Sequence, residues 1–362
     1  MIRILHAADL HLDSPFAALA PEQAAQRRGE QRDMIWRLAE ECDSRGCDLL
    51  LLSGDLFDSG RVFRETAELL CEVLGSVRAK VFIAPGNHDP FSPASVYATL
   101  SWPENVHIFR SRTIEAVRLD SPMVNVYGAA FLETRESGLL DGFLADANER
   151  PNVMVLHGTL ADTDSVYNPI TELAVGASGL DYLALGHIHK REIRKIGKTT
   201  VGNPGFAMGR GFDELGPGGA LFVELNDDAC RVEPVDLGGR VYQTLEVPVS
   251  ADPLAEITAA LPEQTERDIY RITMTGTCQI PDLPALQAAL SPRFYSLELI
   301  DKTLPPLELW KDVGEDSLKG EFLRQLKACY DAEDAGEDDR RLVARAARLG
   351  LALMEGREVP EL

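Results

Sequence analysis

Five short apolar runs in the first half of the chain each end at side chains that could bind a metal ion. The runs are rich in leucine or β-branched residues and are followed by glycine or a polar turn. Such runs are typical of buried parallel strands with both faces covered. The polar residues that follow them are Asp9 and His11, Asp55, Asn87 and His88, His157, and His187 and His189.

Helical patterns separate the early runs, as in "AAQRRGEQRDMIWRLAEECDSRG" and "FRETAELLCEVLGSV". Strands that alternate with helices predict an α/β fold. Open α/β sheets bind ligands just beyond the carboxyl ends of their strands. We therefore expect the polar residues to lie close together at one edge of the sheet.

Charge and composition limit what such a site could bind. The chain has 58 Asp and Glu residues against 36 Lys and Arg residues, a formal charge of -22, which repels nucleic acid and anionic membranes at long range. A polyanionic substrate would need a local basic patch, metal ions or a partner protein. The six cysteines include no CxxC pair, and we find neither a signal peptide nor a run of about 18 apolar residues. We expect a cytoplasmic protein without a membrane partner.

The polar residues at the strand ends predict a centre with two metal ions. Five of the seven histidines occur there, and unrelated core histidines would not be grouped in this way. A tetrahedral ion takes four ligands, so seven ligands imply two ions, and imidazole with oxygen donors suits Mn, Fe or Zn. Asp55 is the candidate for the shared ligand. The predicted ligands are Asp9, His11, Asp55, Asn87, His157, His187 and His189.

The motifs "DLH", "GDLFD", "GNHD", "HG" and "GHIH" occur in this order between residues 9 and 189. This series resembles the calcineurin-like metallophosphoesterase superfamily. The resemblance implies an α/β four-layer sandwich, in which two β-sheets are flanked by helices. It also implies a phosphoesterase with two divalent metal ions.

The resemblance also divides the ligands and assigns catalytic roles. It places Asp9, His11, Asp55 and His189 on one ion, and Asp55, Asn87, His157 and His187 on the other. It makes His88 the residue that contacts the scissile phosphate and assists the leaving oxygen, with Asp89 as an orienting partner. The nucleophile would be a water or hydroxide that bridges the metals.

The opening "HAADLHLDSPF" and the box "GDLFDSG" most resemble SbcD-type DNA repair exonucleases, particularly the YhaO-like branch. This narrower resemblance implies a DNA exonuclease that favours Mn²⁺, with Fe²⁺, Zn²⁺ or Mg²⁺ as alternatives. It further implies an SbcC-like coiled-coil ATPase partner and, as in related nucleases, a homodimer. Some related nucleases carry a histidine where this chain has Asp58.

The densest basic run of the chain follows the last predicted ligand and has two interpretations. Lys190, Arg191 and Arg194, followed by Lys195 and Lys198, could form a rim that contacts phosphates of a nucleic acid. The run could equally be a solvated β-hairpin. The sequence does not decide between the two.

The sequence predicts that the chain has three segments. Residues 1-240 form the catalytic domain, 241-305 an α+β capping domain without histidine, and 306-362 a helical segment that could bind a partner. A phosphatase or phosphodiesterase for small molecules or nucleotides is the alternative function. A scaffold without catalysis is disfavoured because the ligands and His88 are all present.

Overall fold

The computed structural model describes residues 1-147, 149-226, 229-278, 281-303, 309-332, 336-354 and 356. The chain divides into two compact units, Met1–Tyr242 and Gln243–Leu362. Among the described residues, no helix is both long and apolar enough to cross a lipid bilayer.

The first unit contains fourteen described strands and four described helices. The strands are β1 (Ile2–Ala7), β2 (Leu49–Leu52), β3 (Lys80–Ile83), β4 (Val106–Ile108), β5 (Glu115–Asp120), β6 (Met123–Gly128), β7 (Asn152–His157), β8 (Thr159–Leu160), β9 (Pro169–Ile170), β10 (Tyr182–Gly186), β11 (Glu192–Ile196), β12 (Thr199–Asn203), β13 (Gly219–Leu225) and β14 (Cys230–Asp236). The helices are α1 (Pro21–Ser44), α2 (Arg64–Ser76), α3 (Val96–Thr99) and α4 (Glu172–Ala177).

Two six-stranded sheets form the centre of this unit. The first has the order β14-β13-β1-β2-β3-β4, and the second has the order β11-β12-β10-β7-β6-β5. Strands β1 to β4 are parallel to one another, as are β12, β10, β7 and β6, whereas antiparallel strands complete the edges. Strands β8 and β9 form a separate small pair.

The leucine run of β2 shows why its sequence lacks polar residues. Leu49 and Leu51 pack in the core between the two sheets, whereas Leu50 and Leu52 pack against α1 and α2. Side chains of a strand alternate between its faces, so a strand that is covered on both sides must be apolar throughout. Two large sheets flanked by helices confirm the predicted fold class.

The second unit contains a three-stranded sheet and four described α-helices. The sheet has the order β15 (Tyr242–Val249), β16 (Ile269–Gly276) and β17 (Ser296–Asp301). The helices are α5 (Pro253–Ala260), α6 (Leu283–Leu290), α7 (Leu318–Tyr330) and α8 (Glu337–Met354), and two short 3-10 helices are Ser291–Arg293 and Lys311–Gly314.

Two helices of this unit begin at an aspartate that binds the exposed backbone of the first turn. The Asp252 and Asp282 carboxylates accept hydrogen bonds from the backbone N–H groups of Ala255 and Ala285. Such N-caps contribute about 1 kcal/mol each. A separate apolar cluster joins α7 to α8, and the roles predicted for residues 241-305 and 306-362 stay predictions.

Candidate metal centre

The predicted ligands follow strands of both sheets, and the fold brings them together. Asp9 follows β1, Asp55 follows β2 and Asn87 follows β3, all in the first sheet. His157 is the last residue of β7, and His187 follows β10 in the second sheet. Parallel strands end at the same edge of a sheet, and the two sheets face each other there.

The backbone at these positions is strained. Among the described residues other than glycine, eight have positive φ, and four belong to the predicted ligands: Asp9 (50°), His11 (43°), Asp55 (50°) and His187 (89°). Each such residue costs on the order of 1–3 kcal/mol, and such strain concentrates at functional sites. The turns are held by hydrogen bonds from Asp9 N to Gly54 O (3.1 Å) and from His11 N to Asp55 O (3.0 Å).

Asp9, His11 and His189 form what we call the first donor group. The Nε2 atoms of His11 and His189 lie 3.2 Å apart. Asp9 Oδ1 lies 3.8 Å from His189 Nε2. The ligand atoms of all three residues lie within 4.8 Å of one another, a distance that one ion can span.

Asn87, His157 and His187 form the second donor group. Asn87 Oδ1 lies 2.9 Å from His157 Nε2 and 3.0 Å from His187 Nδ1. His157 is fully buried, and Asn87 is largely buried. One amide oxygen and two imidazole nitrogens therefore converge from both sheets.

Asp55 lies between the two donor groups. Its Oδ2 atom is 3.8 Å from His11 Nε2 and 3.4 Å from His157 Nε2. Its Oδ1 atom accepts a hydrogen bond from the backbone N–H of His88 at 2.9 Å. The residue is 1% exposed, so the position of its carboxylate fits the role of a shared ligand.

The hydrogen bonds of His157 leave lone pairs that a metal ion could bind. The backbone carbonyl of Ser53 accepts a hydrogen bond from His157 Nδ1 at 2.9 Å, so in the neutral ring the Nε2 lone pair faces Asn87 Oδ1 and Asp55 Oδ2. Lone pairs that point at one another repel unless a proton or a metal ion lies between them. The donor set of imidazole and oxygen without thiolate suits a borderline or hard divalent ion.

The pKa shifts at the site reflect two effects, the burial of each group and the charge of its neighbours. Burial, with a further contribution from Asp55, raises the pKa of Asp9 to about 7. Burial lowers the pKa of His157, but the charge of Asp55 outweighs burial and raises the pKa of His157 to about 9. Burial lowers the pKa values of His11 and His187 to about 4, so these two imidazoles are neutral. The buried carboxylates Asp9 and Asp55 carry negative charge that divalent cations can neutralise.

The sequence also matches a known family model. The model for calcineurin-like phosphoesterases matches residues 2-191, which include every predicted ligand. This chain belongs to the calcineurin-like phosphoesterase family.

Three curated relatives are similar to this chain. An uncharacterized metallophosphoesterase, YhaO of Bacillus subtilis, is 30% identical over 64% of this chain and 59% of its own length. The DNA double-strand break repair protein Mre11 of Methanopyrus kandleri is 26% identical over 80% of this chain and 66% of its own length. The SbcD component of the nuclease SbcCD of Bacillus subtilis is 21% identical over 59% of this chain and 64% of its own length. The chain thus spans less than two thirds of the length of each of these relatives.

His88 lies at the exposed rim of the first donor group. Its ring centroid is 4.8 Å from that of His11, with the two rings edge to face. The backbone carbonyl of Asp58 accepts a hydrogen bond from His88 Nδ1 at 2.8 Å. In the neutral form this bond leaves Nε2 as the nitrogen with a lone pair.

The Asp89 carboxylate holds the two loops around His88 together by binding their backbone N–H groups. Its buried carboxylate accepts hydrogen bonds from the backbone N–H groups of Gly86, Leu56 and Phe57, at 2.9, 2.7 and 3.1 Å, and from the Tyr97 hydroxyl at 2.5 Å. These bonds join the "GDLFD" and "GNHD" loops. The His88 ring is oriented by the Asp58 carbonyl, and the catalytic role of Asp89 stays a prediction.

The basic run that follows His189 forms a hairpin. Strands β11 and β12 pair antiparallel, and Arg194 in β11 makes ion pairs with Glu172 and Glu192. Lys190 is exposed, and Arg191 Nε donates a hydrogen bond to the Pro204 carbonyl at 3.4 Å. Contact of Lys190, Arg191 and Arg194 with a nucleic acid stays a prediction.

Two residues beside the first donor group were not among the predicted site residues. Glu214 is 1% exposed, and its Oε1 atom lies 2.7 Å from His189 Nδ1. Arg210 Nη1 lies 2.8 Å from Asp58 Oδ1, and Arg210 Nη2 lies 2.6 Å from Glu214 Oε1. The spacing of four between Arg210 and Glu214 is the only signal in the sequence, and it is weak because a glycine-rich loop carries it.

Proposed function

We propose that this phosphoesterase is a two-metal phosphodiesterase that hydrolyses DNA from its ends, with Mn²⁺ as the preferred metal. The observation that carries the proposal is the position of Asp55 between two donor groups, within 4 Å of a histidine in each. Two divalent cations bound there would neutralise the developing charge on a phosphoryl group and lower the pKa of a nearby water. Asp9, His11, Asp55 and His189 would hold one ion, and Asp55, Asn87, His157 and His187 the other.

The protein's own groups then supply orientation and proton transfer. The Asp58 carbonyl fixes the His88 ring through Nδ1, so that Nε2 is the other ring nitrogen available for catalysis. With a proton also on Nε2, the ring would donate a hydrogen bond to the scissile phosphate and pass that proton to the leaving oxygen. His88 is exposed, so a large substrate can reach it without opening the fold. A positioned histidine of this kind typically contributes about 10²–10⁴-fold to the rate.

DNA is the proposed substrate because the relatives named for DNA repair and nuclease activity match much of this chain. The formal charge of -22 opposes binding of a polyanion, so we further propose a partner that holds the DNA, of the SbcC-like coiled-coil ATPase type. Leu342 and Leu353 of α8 are 67% and 65% exposed, which supports helix docking at the C-terminal segment.

The same charge favours a second candidate function, a phosphodiesterase for small molecules or nucleotides. A small substrate carries fewer negative charges than DNA and is repelled less by the acidic surface. Both functions would use the same donor groups and His88.

One experiment separates these candidates. End-labelled linear duplex DNA, closed circular duplex DNA and bis-p-nitrophenyl phosphate are each incubated with Mn²⁺ and either the wild-type protein or His88→Ala. Progressive shortening of the linear DNA, absent with the variant and with circular DNA, is the expected result. Hydrolysis of the small diester without cleavage of either DNA would refute the proposed DNA function of the chain by itself and favour the small-molecule function. Cleavage of the circular DNA would refute the requirement for ends.

A further inference from the structure

We propose that Arg210, Asp58 and Glu214 form a carboxylate clamp that positions both imidazoles of the first donor group and thereby strengthens metal binding at that group alone. These three are positioning residues that act through His11 and His189. The proposal rests on the metal centre of the proposed function and extends it to an inequality between the two ions.

The clamp is best defined at His189. Glu214 Oε1 lies 2.7 Å from His189 Nδ1, and Arg210 Nη2 lies 3.3 Å from the same nitrogen. Because the carboxylate oxygen is the closer of the two, it holds the proton on Nδ1, and the Nε2 lone pair of His189 faces His11 Nε2 and Asp9. The Glu214 side chain is 1% exposed, so water cannot easily replace it. A carboxylate in this position fixes the tautomer and orientation of the ring and makes the ring a stronger metal ligand.

The second arm of the clamp lies behind His11. Asp58 Oδ1 is 3.4 Å from His11 Nδ1, a buried nitrogen that has no closer hydrogen-bond partner among the described residues. The Ser14 hydroxyl lies 3.0 Å from the same Asp58 oxygen and 2.7 Å from the His11 carbonyl oxygen, so its single proton is shared between them. Asp58 therefore faces His11 in the way that Glu214 faces His189, at a longer distance.

One guanidinium joins the two arms. Arg210 Nη1 lies 2.8 Å from Asp58 Oδ1, Arg210 Nη2 lies 2.6 Å from Glu214 Oε1, and Arg210 Nε lies 3.1 Å from Glu214 Oε1. The planar fork of arginine holds two carboxylates in fixed directions, which the point charge of lysine does not. Arg210 also offsets the repulsion that two carboxylates would otherwise exert on each other.

Helix α1 holds the base of the clamp. The fully buried Arg27 of α1 donates a hydrogen bond to the Gly209 carbonyl at 2.7 Å, directly before Arg210. Gln31, one turn further along α1, donates to the His11 carbonyl at 2.7 Å. A rigid helix therefore positions both the clamp and one of its histidines.

The second donor group is supported differently. His157 Nδ1 donates to the backbone carbonyl of Ser53, and His187 Nδ1 faces Asn87. Among the described residues no carboxylate lies behind either ring at the distances seen for His11 and His189. A substitution in the clamp should therefore weaken the binding of one ion and leave the binding of the other unchanged.

The test measures metal binding and does not depend on a substrate. Mn²⁺ titration calorimetry and the absorption spectrum of the Co²⁺ form are recorded for the wild type, Arg210→Met, Arg210→Lys and Glu214→Gln. We expect Arg210→Met and Glu214→Gln to weaken one of two binding events by about 10–100-fold, with the other unchanged and an altered Co²⁺ spectrum. Arg210→Lys should recover only part of the loss, since lysine cannot hold both carboxylates.

Arg45→Met is the matched control, because Arg45 also pairs with two carboxylates, Glu41 and Glu233, but lies directly after α1 and has no predicted role in the site. It should bind both ions as the wild type does. If Arg210→Met fails to fold, as judged by circular dichroism and thermal unfolding in EDTA, Glu214→Gln carries the test, because the amide keeps the size of the side chain.

Wild-type affinity for both ions in Glu214→Gln, or equal weakening of both ions in the variants, would overturn the clamp. A wild-type protein that binds no metal would overturn it together with the metal centre. Weakening of one ion alone in the variants, in a protein that does not cleave DNA, would support the clamp and refute only the proposed DNA function.

Discussion

A single methyl group at Gly86 should disable the metal centre. Gly86 lies in the loop between β3 and the candidate ligand Asn87, against Asp55, the proposed shared ligand. A Cβ atom built on Gly86 would lie 2.3 Å from Asp55 Oδ1 and 2.6 Å from Asp55 N. Ordinary contacts are 3.4 Å or longer, so the Asp55 backbone and carboxylate would have to move by about 1 Å.

Asp55 cannot make this movement without breaking other contacts. Its carbonyl accepts a hydrogen bond from His11 N, and its Oδ1 accepts one from His88 N. Overpacking of this kind typically costs about 1–3 kcal/mol of unfolding free energy. A displacement of about 1 Å in a catalytic group can lower the rate about 10²-fold. We therefore expect Gly86→Ala to lose about 1–3 kcal/mol of unfolding free energy and about 10²-fold in rate. It should also bind both metal ions more weakly.

The assay compares Gly86→Ala with Gly29→Ala, the same chemical change at a site inside α1 where a Cβ atom meets nothing within 4 Å. Hydrolysis of bis-p-nitrophenyl phosphate with Mn²⁺ gives the activity, and urea unfolding gives the stability. Gly29→Ala should keep its activity and gain about 0.5–1 kcal/mol, because alanine favours a helix over glycine. Wild-type activity and metal binding in Gly86→Ala would refute the close packing that we assign to Asp55.

Three further predictions concern single side chains. His88→Ala should keep both metal ions in elemental analysis yet lower kcat about 10²–10⁴-fold, and loss of metal would contradict its role. Asp55→Asn should weaken both ions together in calorimetry, whereas an effect on one ion would exclude a shared ligand. Burial lowers the pKa of His6 from 6.5 to about 3, so below pH 6.5 the unfolded chain binds a proton that the folded chain does not. Between pH 7 and pH 5, which is about 1.5 units below the unfolded pKa, the unfolding free energy of the wild type should therefore fall. In EDTA, this fall should be about 2 kcal/mol larger for the wild type than for His6→Gln. If urea unfolding shows the same loss of stability between pH 7 and pH 5 in the wild type and in His6→Gln, this prediction is wrong.

The grouping of the predicted ligands could be read from the sequence because it depends on strand ends. The all-leucine run before Asp55 requires a strand that is covered on both faces, and parallel strands place Asp55 and Asn87 at the same edge. His157 and His187 come from a second sheet, and the order of the motifs suggested their convergence. The positive φ angles at four of these positions agree with a chain that is bent to aim polar side chains.

The residues that hold the candidate ligands in position could not be predicted from the sequence in the same way. Arg210 and Glu214 lie in a glycine-rich loop whose path depends on the contact of Arg27 with Gly209, a contact across 182 positions of the sequence. The His88 ring is held by a backbone carbonyl, which any residue at position 58 would offer. Such contacts depend on three-dimensional packing and leave no periodic pattern.

Anomalous diffraction at the manganese edge, from crystals grown with Mn²⁺, tests the two-metal centre most directly. We predict two peaks about 3.5–4 Å apart, one on each side of the Asp55 carboxylate. The first peak should lie beside His11 and His189, and the second beside His157 and His187. A single peak, or two peaks that do not share Asp55, would contradict the two-metal centre.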